Sequence, residues 1–251
     1  MTNGLTIGDV FRTAFQALKM NFTIYFAIYL IMIFFMFIFA ALPMILAFFL
    51  FPPIKNFFIS GSTTTSNILV IVFLFLYYVY VMIITSYISI PAYKFIINSF
   101  EAKMSIKFYF DTLKEIDIKR VFRFILLLIL FILIILVGMF LFVIPGIYFA
   151  LIFGFSIYIA ADYNTSPIES LRKSAELTRG YRGSIFAYNL ILFIIFLPIS
   201  LISMNNEIIS SIITIVVSFL FIPFQFAFYY KLKKHKWENN IEKGPQDGIV
   251  V

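Results

Sequence analysis

The sequence predicts an all-α integral membrane protein, and three observations predict it. The first is composition. Of 251 residues, 63% are hydrophobic and only 12% are charged, with a mean hydropathy of +1.03. A soluble domain carries about 25% charged residues, so this chain has too little polar surface to face water. The second is the recurrence of apolar runs close to the length of about 20 residues that a spanning helix needs. The third is the placement of positive charge. Eighteen of the 19 Lys and Arg residues lie in four short segments between those runs, and only Lys55 falls elsewhere. Basic residues beside spanning helices stay on the cytoplasmic side, so the pattern predicts a topology as well as a class.

Taken in order, Phe22 to Phe51 reads as a first span, overlong and interrupted by Pro43, where a tilt or kink is expected. Pro52-Pro53 and the polar run Ser60 to Asn67 form an outer loop. Ile68 to about Ile97 is a second span, with Pro91 near its inner end. Val121 to Ile144 is a third, and Pro145-Gly146 marks a tight turn into a fourth, Ile147 to Ala161. One uninterrupted helix from Val121 to Ala161 would run roughly 60 Å, twice the hydrocarbon thickness. Ser184 to Ile202 and Ile208 to Tyr230 are the fifth and sixth spans. Six crossings put both termini inside. No cleavable signal peptide is expected, because the opening residues are polar and amphipathic and the run that follows exceeds a signal core. The outer side carries only Lys55 and Glu207, which excludes a large external ligand-binding domain. The whole chain, 1–251, reads as a single membrane domain, with residues 231–251 as a basic cytoplasmic tail.

Three inner segments share a design. Thr6 to Met20 places Ile7, Val10, Phe11, Ala14, Phe15 and Leu18 at helical spacing. Ser105 to Ile116 does the same with Ile106, Tyr109, Phe110, Leu113 and Ile116. Ser166 to Arg179 does so with Ile168, Leu171 and Ala175. Each begins with a Ser or Thr able to cap a helix. The third adds Pro167 at the first helical position, Glu169 as a capping-box residue and Gly180 where a helix end favours glycine. These are expected to be amphipathic helices in the inner interface, each followed by a pair of spans. The arrangement reads as a threefold repeat with units near 6–98, 105–164 and 166–230. The first and third copies align residue by residue: Thr6 with Ser166, Asp9 with Glu169, Arg12 with Arg172, Gln16 with Glu176, and Lys19 with Arg179. Any two amphipathic helices share some of this likeness.

The residues offer little chemistry. There is no Cys, and the single His, His235, sits in the basic tail. Metal sites need His, Cys or clustered carboxylates, so no metal and no cofactor are expected. The spans are almost free of ionisable residues, the usual mark of proton relays and ion-coupled transport. Gly154-Phe155-Ser156 has no base to activate its serine. Asp162 ends the fourth span, where it would either pair with Arg172 or Arg179 and anchor the third amphipathic helix, or stand in interfacial water close to the helix start. Glu169 with Lys173, Lys107 with Asp111, and Glu176 with Arg179 stand at spacings that pair on a helix. Tyr77, Tyr78, Tyr80, Tyr87 and Tyr93 would line a cavity or serve packing. Asp9, Arg12, Lys19, Asp162, Glu169, Arg172, Glu176, Arg179, Lys231, Lys233 and Lys234 are therefore the candidate contacts to lipid headgroups or to a partner protein. The net charge of +7 suits anionic lipid rather than nucleic acid once it is placed on the inner face. The tail lysines are expected to stop transfer and set orientation.

Ile144-Pro145-Gly146, Ala161-Asp162, Ser166 through Ser174 and Leu177-Thr178-Arg179-Gly180 form one continuous pattern. With the opening Leu5 to Asp9 and the Asn21-Phe22 step, it resembles a superfamily of prokaryotic six-span proteins that includes the membrane domain fused to glycerophosphodiester phosphodiesterases. The resemblance implies an all-helical bundle with cytoplasmic interfacial helices. It carries over no catalytic residue, since that activity belongs to a separate soluble domain. The expectation is a non-enzymatic protein that binds lipid or a membrane-protein partner. The alternative is a permease or transporter subunit for a small or lipidic solute, for which the prolines at 43, 91, 145 and 198 would supply helix breaks. An intramembrane enzyme lacks the acid–base pair it would need.

Overall fold

The computed structural model describes residues 5–50, 52, 54, 65–202 and 207–238. Among these residues every regular element is helical. The outer loop with Lys55 and the tail beyond Glu238 with Lys243 lie outside the described residues.

Helix α1, Ile7–Met36, opens on Thr6, whose hydroxyl accepts from the Asp9 amide at 3.1 Å. It bends at Asn21, where φ −118° and ψ 18° leave the helical region. This joint separates the amphipathic segment from the apolar one. A π-turn, Phe37–Ala41, leads into α2, Leu42–Leu50. Pro43 cannot donate an amide to the ladder, and the wider turn directly before it absorbs the break.

Helix α3, Thr65–Asn98, carries Pro91 inside it. Helix α4, Ile106–Lys114, is capped by Ser105. Helix α5, Ile118–Leu141, pairs with α6, Val143–Phe153, and α7, Ser156–Tyr163, continues α6 after a break at Gly154-Phe155. Helix α8, Pro167–Thr178, lies against α6 and α7. Helix α9, Arg182–Ile202, leads to α10, Glu207–Lys233, and a terminal π-turn, Lys234–Glu238.

Five helices or joined helices are long and apolar enough to cross a bilayer: residues 7–50, 70–98, 118–141, 143–163 and 213–237. The α9 helix adds a shorter apolar stretch, Arg182–Phe196. The chain is a multi-pass membrane protein. Its core gathers at the basic end of the bundle, where Phe95, Tyr109, Tyr188, Phe228, Tyr229 and Leu232 are buried. Toward the other end the apolar side chains face outward, and Phe140 is 92% exposed. Such a surface is stable only with lipid as its solvent.

The hairpin differs from the expected turn at Pro145-Gly146. The chain reverses at Phe142, which is extended, and Pro145 and Gly146 lie in the first turn of α6. Proline costs nothing there, since a first-turn amide has no helical partner. Gly146 serves close packing instead. A Cβ on Gly138 would fall 2.9 Å from the Gly146 Cα, so both positions must stay bare for α5 and α6 to touch.

Candidate functional site

The basic end is assembled around α8. The α6–α7 break leaves the Ile152 carbonyl without a regular helical partner. Ser174 donates to it at 2.7 Å and Thr178 at 3.4 Å, both fully buried. The face of α8 that packs is therefore Ser170, Leu171, Ser174, Leu177 and Thr178. The expected face differed: Ile168 is 75% exposed and Ala175 is only half-buried. On α4 and just past it the expected face holds in part: Tyr109 and Ile116 are buried, Thr112 is buried beside them, and Ile106 and Phe110 are exposed. Ser166 accepts from the Glu169 amide at 3.4 Å, and Gly180 takes φ +87° just past the helix end, as the sequence predicts.

Asp162 does not pair with Arg172 or Arg179. It takes Lys233 at 2.9 Å, with side chains only 9% and 13% exposed, and accepts from the Tyr229 hydroxyl at 3.2 Å. The reason is direction. Asn164 adopts a left-handed φ of 55°, which ends α7 at Tyr163, and the last turns of α10 bring Tyr229 and Lys233 against it. Arg120 donates to the Ala161 carbonyl at 2.6 Å, and Arg123 to the Asn164 side chain at 3.1 Å. These two cations close the other side of the α7 terminus.

Over its described part the tail folds back onto the bundle. After Lys233 the π-turn brings Lys236 to the C-terminal carbonyls of α8, at 3.0 Å from Glu176 O and 2.6 Å from Arg179 O. An ammonium there meets the negative end of the helix dipole. Trp237 rests edge-on against Tyr163, and Lys236 sits 5.3 Å over the Tyr181 ring. Lys234 lies 6.0 Å over the Tyr230 ring.

On the exposed face of α8, Lys173 and Glu169 pair at 2.9 Å, and Lys173 holds the Glu169 carboxyl below its ordinary range. Glu176 pairs with Arg172 at 3.9 Å, rather than with Arg179. No ion pair joins Lys107 to Asp111 among the described residues. Such exposed pairs contribute little to stability. Asp9 accepts from the Thr6 hydroxyl at 2.6 Å and feels the charge of Lys231. Arg12 and Lys19 are exposed on α1. The structure thus unites Asp162 with Lys233, and Glu176 and Arg179 with Lys236, and leaves Arg12 and Lys19 apart.

Sequence reasoning misses three groups. Asn21 is 1% exposed; it donates to Ser99 O at 2.9 Å and accepts from the Met104 amide at 2.9 Å. Its signal is a lone amide between an amphipathic stripe and an apolar run. The hydroxyls at 170, 174 and 178 are legible as a four-residue stripe. Lys236 carries no local signal, because its contacts are nearly 60 residues away.

A cavity of about 370 Å³ lies between α6–α7, α9 and α10, and is lined among others by Gly154, Tyr158, Ile185, Asn189 and Gln225. No ionisable acid or base lines it except the Tyr158 phenol. The tyrosines expected at a cavity pack elsewhere: Tyr93 on Phe124 and Phe226, Tyr87 on the Leu113 carbonyl, and Tyr77 on the Ala40 carbonyl. Among the described residues no group of three His, Cys, Asp or Glu could hold a metal. Comparison with known proteins adds no relative: no family model, no curated protein and no solved structure matches the chain.

Proposed function

We propose that this chain is a non-enzymatic protein of the cell membrane that binds anionic lipid with its cytoplasmic face, as a scaffold or accessory subunit. It crosses six times, with α9 as the fifth span and both termini inside. The α8 helix and the first segment of α1 lie in the inner interface. The resemblance to the six-span prokaryotic superfamily and the threefold helix-plus-hairpin reading agree with this.

The observation that carries the reading is the turn between α8 and α9. Arg179 and Arg182 flank Gly180-Tyr181, and Lys236 is held within electrostatic reach of both. Neither arginine meets a carboxylate among the described residues. Cations collected against their mutual repulsion favour a phosphate, which guanidinium binds through paired donors. Juxtamembrane basic residues contribute about 1 kcal/mol each toward an anionic surface.

The test is thermal unfolding of the detergent-purified protein with added phosphatidylglycerol or phosphatidylcholine. Phosphatidylglycerol raises the midpoint by several degrees and phosphatidylcholine does not. The double variant Arg179→Gln, Arg182→Gln loses most of that difference, and so does the wild type in high salt. Equal stabilisation by the two lipids overturns the reading. A second reading, a permease or transporter subunit for a small or lipidic solute, draws on the cavity beside Asn189 and Gln225; it requires solute flux through proteoliposomes.

A further inference from the structure

We infer that the cavity between α6–α7, α9 and α10 seats the uncharged glycerol region of one phospholipid, whose phosphate is held at Arg182. The inference rests on the anionic-lipid reading and assigns it a defined, one-to-one site.

Three observations converge. Arg182, Ile185 and Asn189 follow at three- and four-residue spacing, so they share one face of α9. Ile185 and Asn189 line the cavity. Arg182 therefore stands about 10 Å from Asn189 along the same groove, on the basic side. Its guanidinium donates to the Tyr148 hydroxyl across that groove, on α6. Its Nε is buried and has no hydrogen-bond partner among the described residues. A buried guanidinium donor without an acceptor is costly, and a phosphate oxygen satisfies it.

The lining beneath is chemically different. Asn189 donates to the Ile185 carbonyl at 2.9 Å, which uses one of its two amide hydrogens. Gln225 is exposed and makes no hydrogen bond to a described residue, although it lies within an apolar helix. Unpaired amides at this depth are unstable against hydrocarbon. Together with the Tyr158 hydroxyl they offer donors to the oxygens of a glycerol backbone. The volume suits that middle part of a phospholipid and not the whole molecule. The acyl chains leave along the outward apolar face of α9, where Leu190, Phe193 and Ile194 are exposed.

Native mass spectrometry of the full chain in mild detergent tests the seat, with three probes: phosphatidylglycerol, phosphatidylcholine and diacylglycerol, which has no phosphate. The wild type holds one phosphatidylglycerol and, more weakly, one diacylglycerol. Asn189→Leu with Gln225→Leu weakens both by about tenfold, the loss of roughly two hydrogen bonds. Arg182→Gln weakens phosphatidylglycerol alone. A second variant, Ile185→Trp, fills the cavity without touching an amide and gives the same double loss. If the amide variant binds phosphatidylglycerol as the wild type does, the seat is wrong and the headgroup reading survives. If the wild type shows no preference for phosphatidylglycerol over phosphatidylcholine, the anionic-headgroup reading itself fails, and if Arg182→Gln binds phosphatidylglycerol as the wild type does, Arg182 holds no phosphate.

Discussion

Asp162→Ala lowers the stability of the purified protein by about 3 kcal/mol, the scale for leaving a buried charge without its partner. Lys233 is the charge left behind, with its side chain 13% exposed. At roughly 2–4 °C per kcal/mol for a chain of this size, the unfolding midpoint falls by about 6–12 °C. Lys233→Met costs less, because Asp162 keeps the Tyr229 hydroxyl and the field of Arg120. The double variant Asp162→Ala, Lys233→Met recovers much of the single loss, since no uncompensated charge remains. Thermal unfolding in one detergent measures all three. Additive losses in the double variant would show that the two side chains do not act as a pair.

Asn21→Leu produces the second large effect. The amide ties the α1 joint to the end of α3 through Ser99 O and to the start of α4 through the Met104 amide. Leucine removes these bonds and leaves a buried backbone carbonyl and amide unpaired, at about 2–3 kcal/mol. Tyr25 and Ser99 also join their hydroxyls beside it, so the loss spreads to that contact. Hydrogen exchange of residues 99–104 rises with the fall in stability. Asn21→Asp keeps the acceptor for Met104 but sets a buried carboxylate oxygen against the Ser99 carbonyl, and costs at least as much as leucine. If Asn21→Leu unfolds at the wild-type temperature, the joint is not held by the amide.

Local chemistry was legible in the sequence, and long-range partners were not. The caps at Thr6, Ser105 and Ser166 are set by neighbours within three residues, and each accepts a backbone amide as expected. Gly180 was legible for the same reason. The partner of Asp162 was not, because Lys233 is 71 residues away and closer cations stood at plausible spacing. The packed face of α8 was misread because Ser170, Ser174 and Thr178 count as polar in any periodic pattern. Their burial depends on the Ile152 carbonyl, which only the break at Gly154-Phe155 exposes. Pro145-Gly146 signals a turn in water, but between membrane helices a glycine also permits contact, and Gly138 supplies the matching surface.

The lipid reading rests on a single geometric premise: that the positive segments share the cytoplasmic side. The chain has no cysteine, so single cysteines report position without background. Cysteines placed at Ser62, Asn205, Lys103 and Lys173 are exposed to a membrane-impermeant maleimide in intact cells. The topology predicts labelling of Ser62→Cys and Asn205→Cys at once, and of Lys103→Cys and Lys173→Cys only after the membrane is opened. Labelling of Ser62→Cys and Lys173→Cys from the same side contradicts the account.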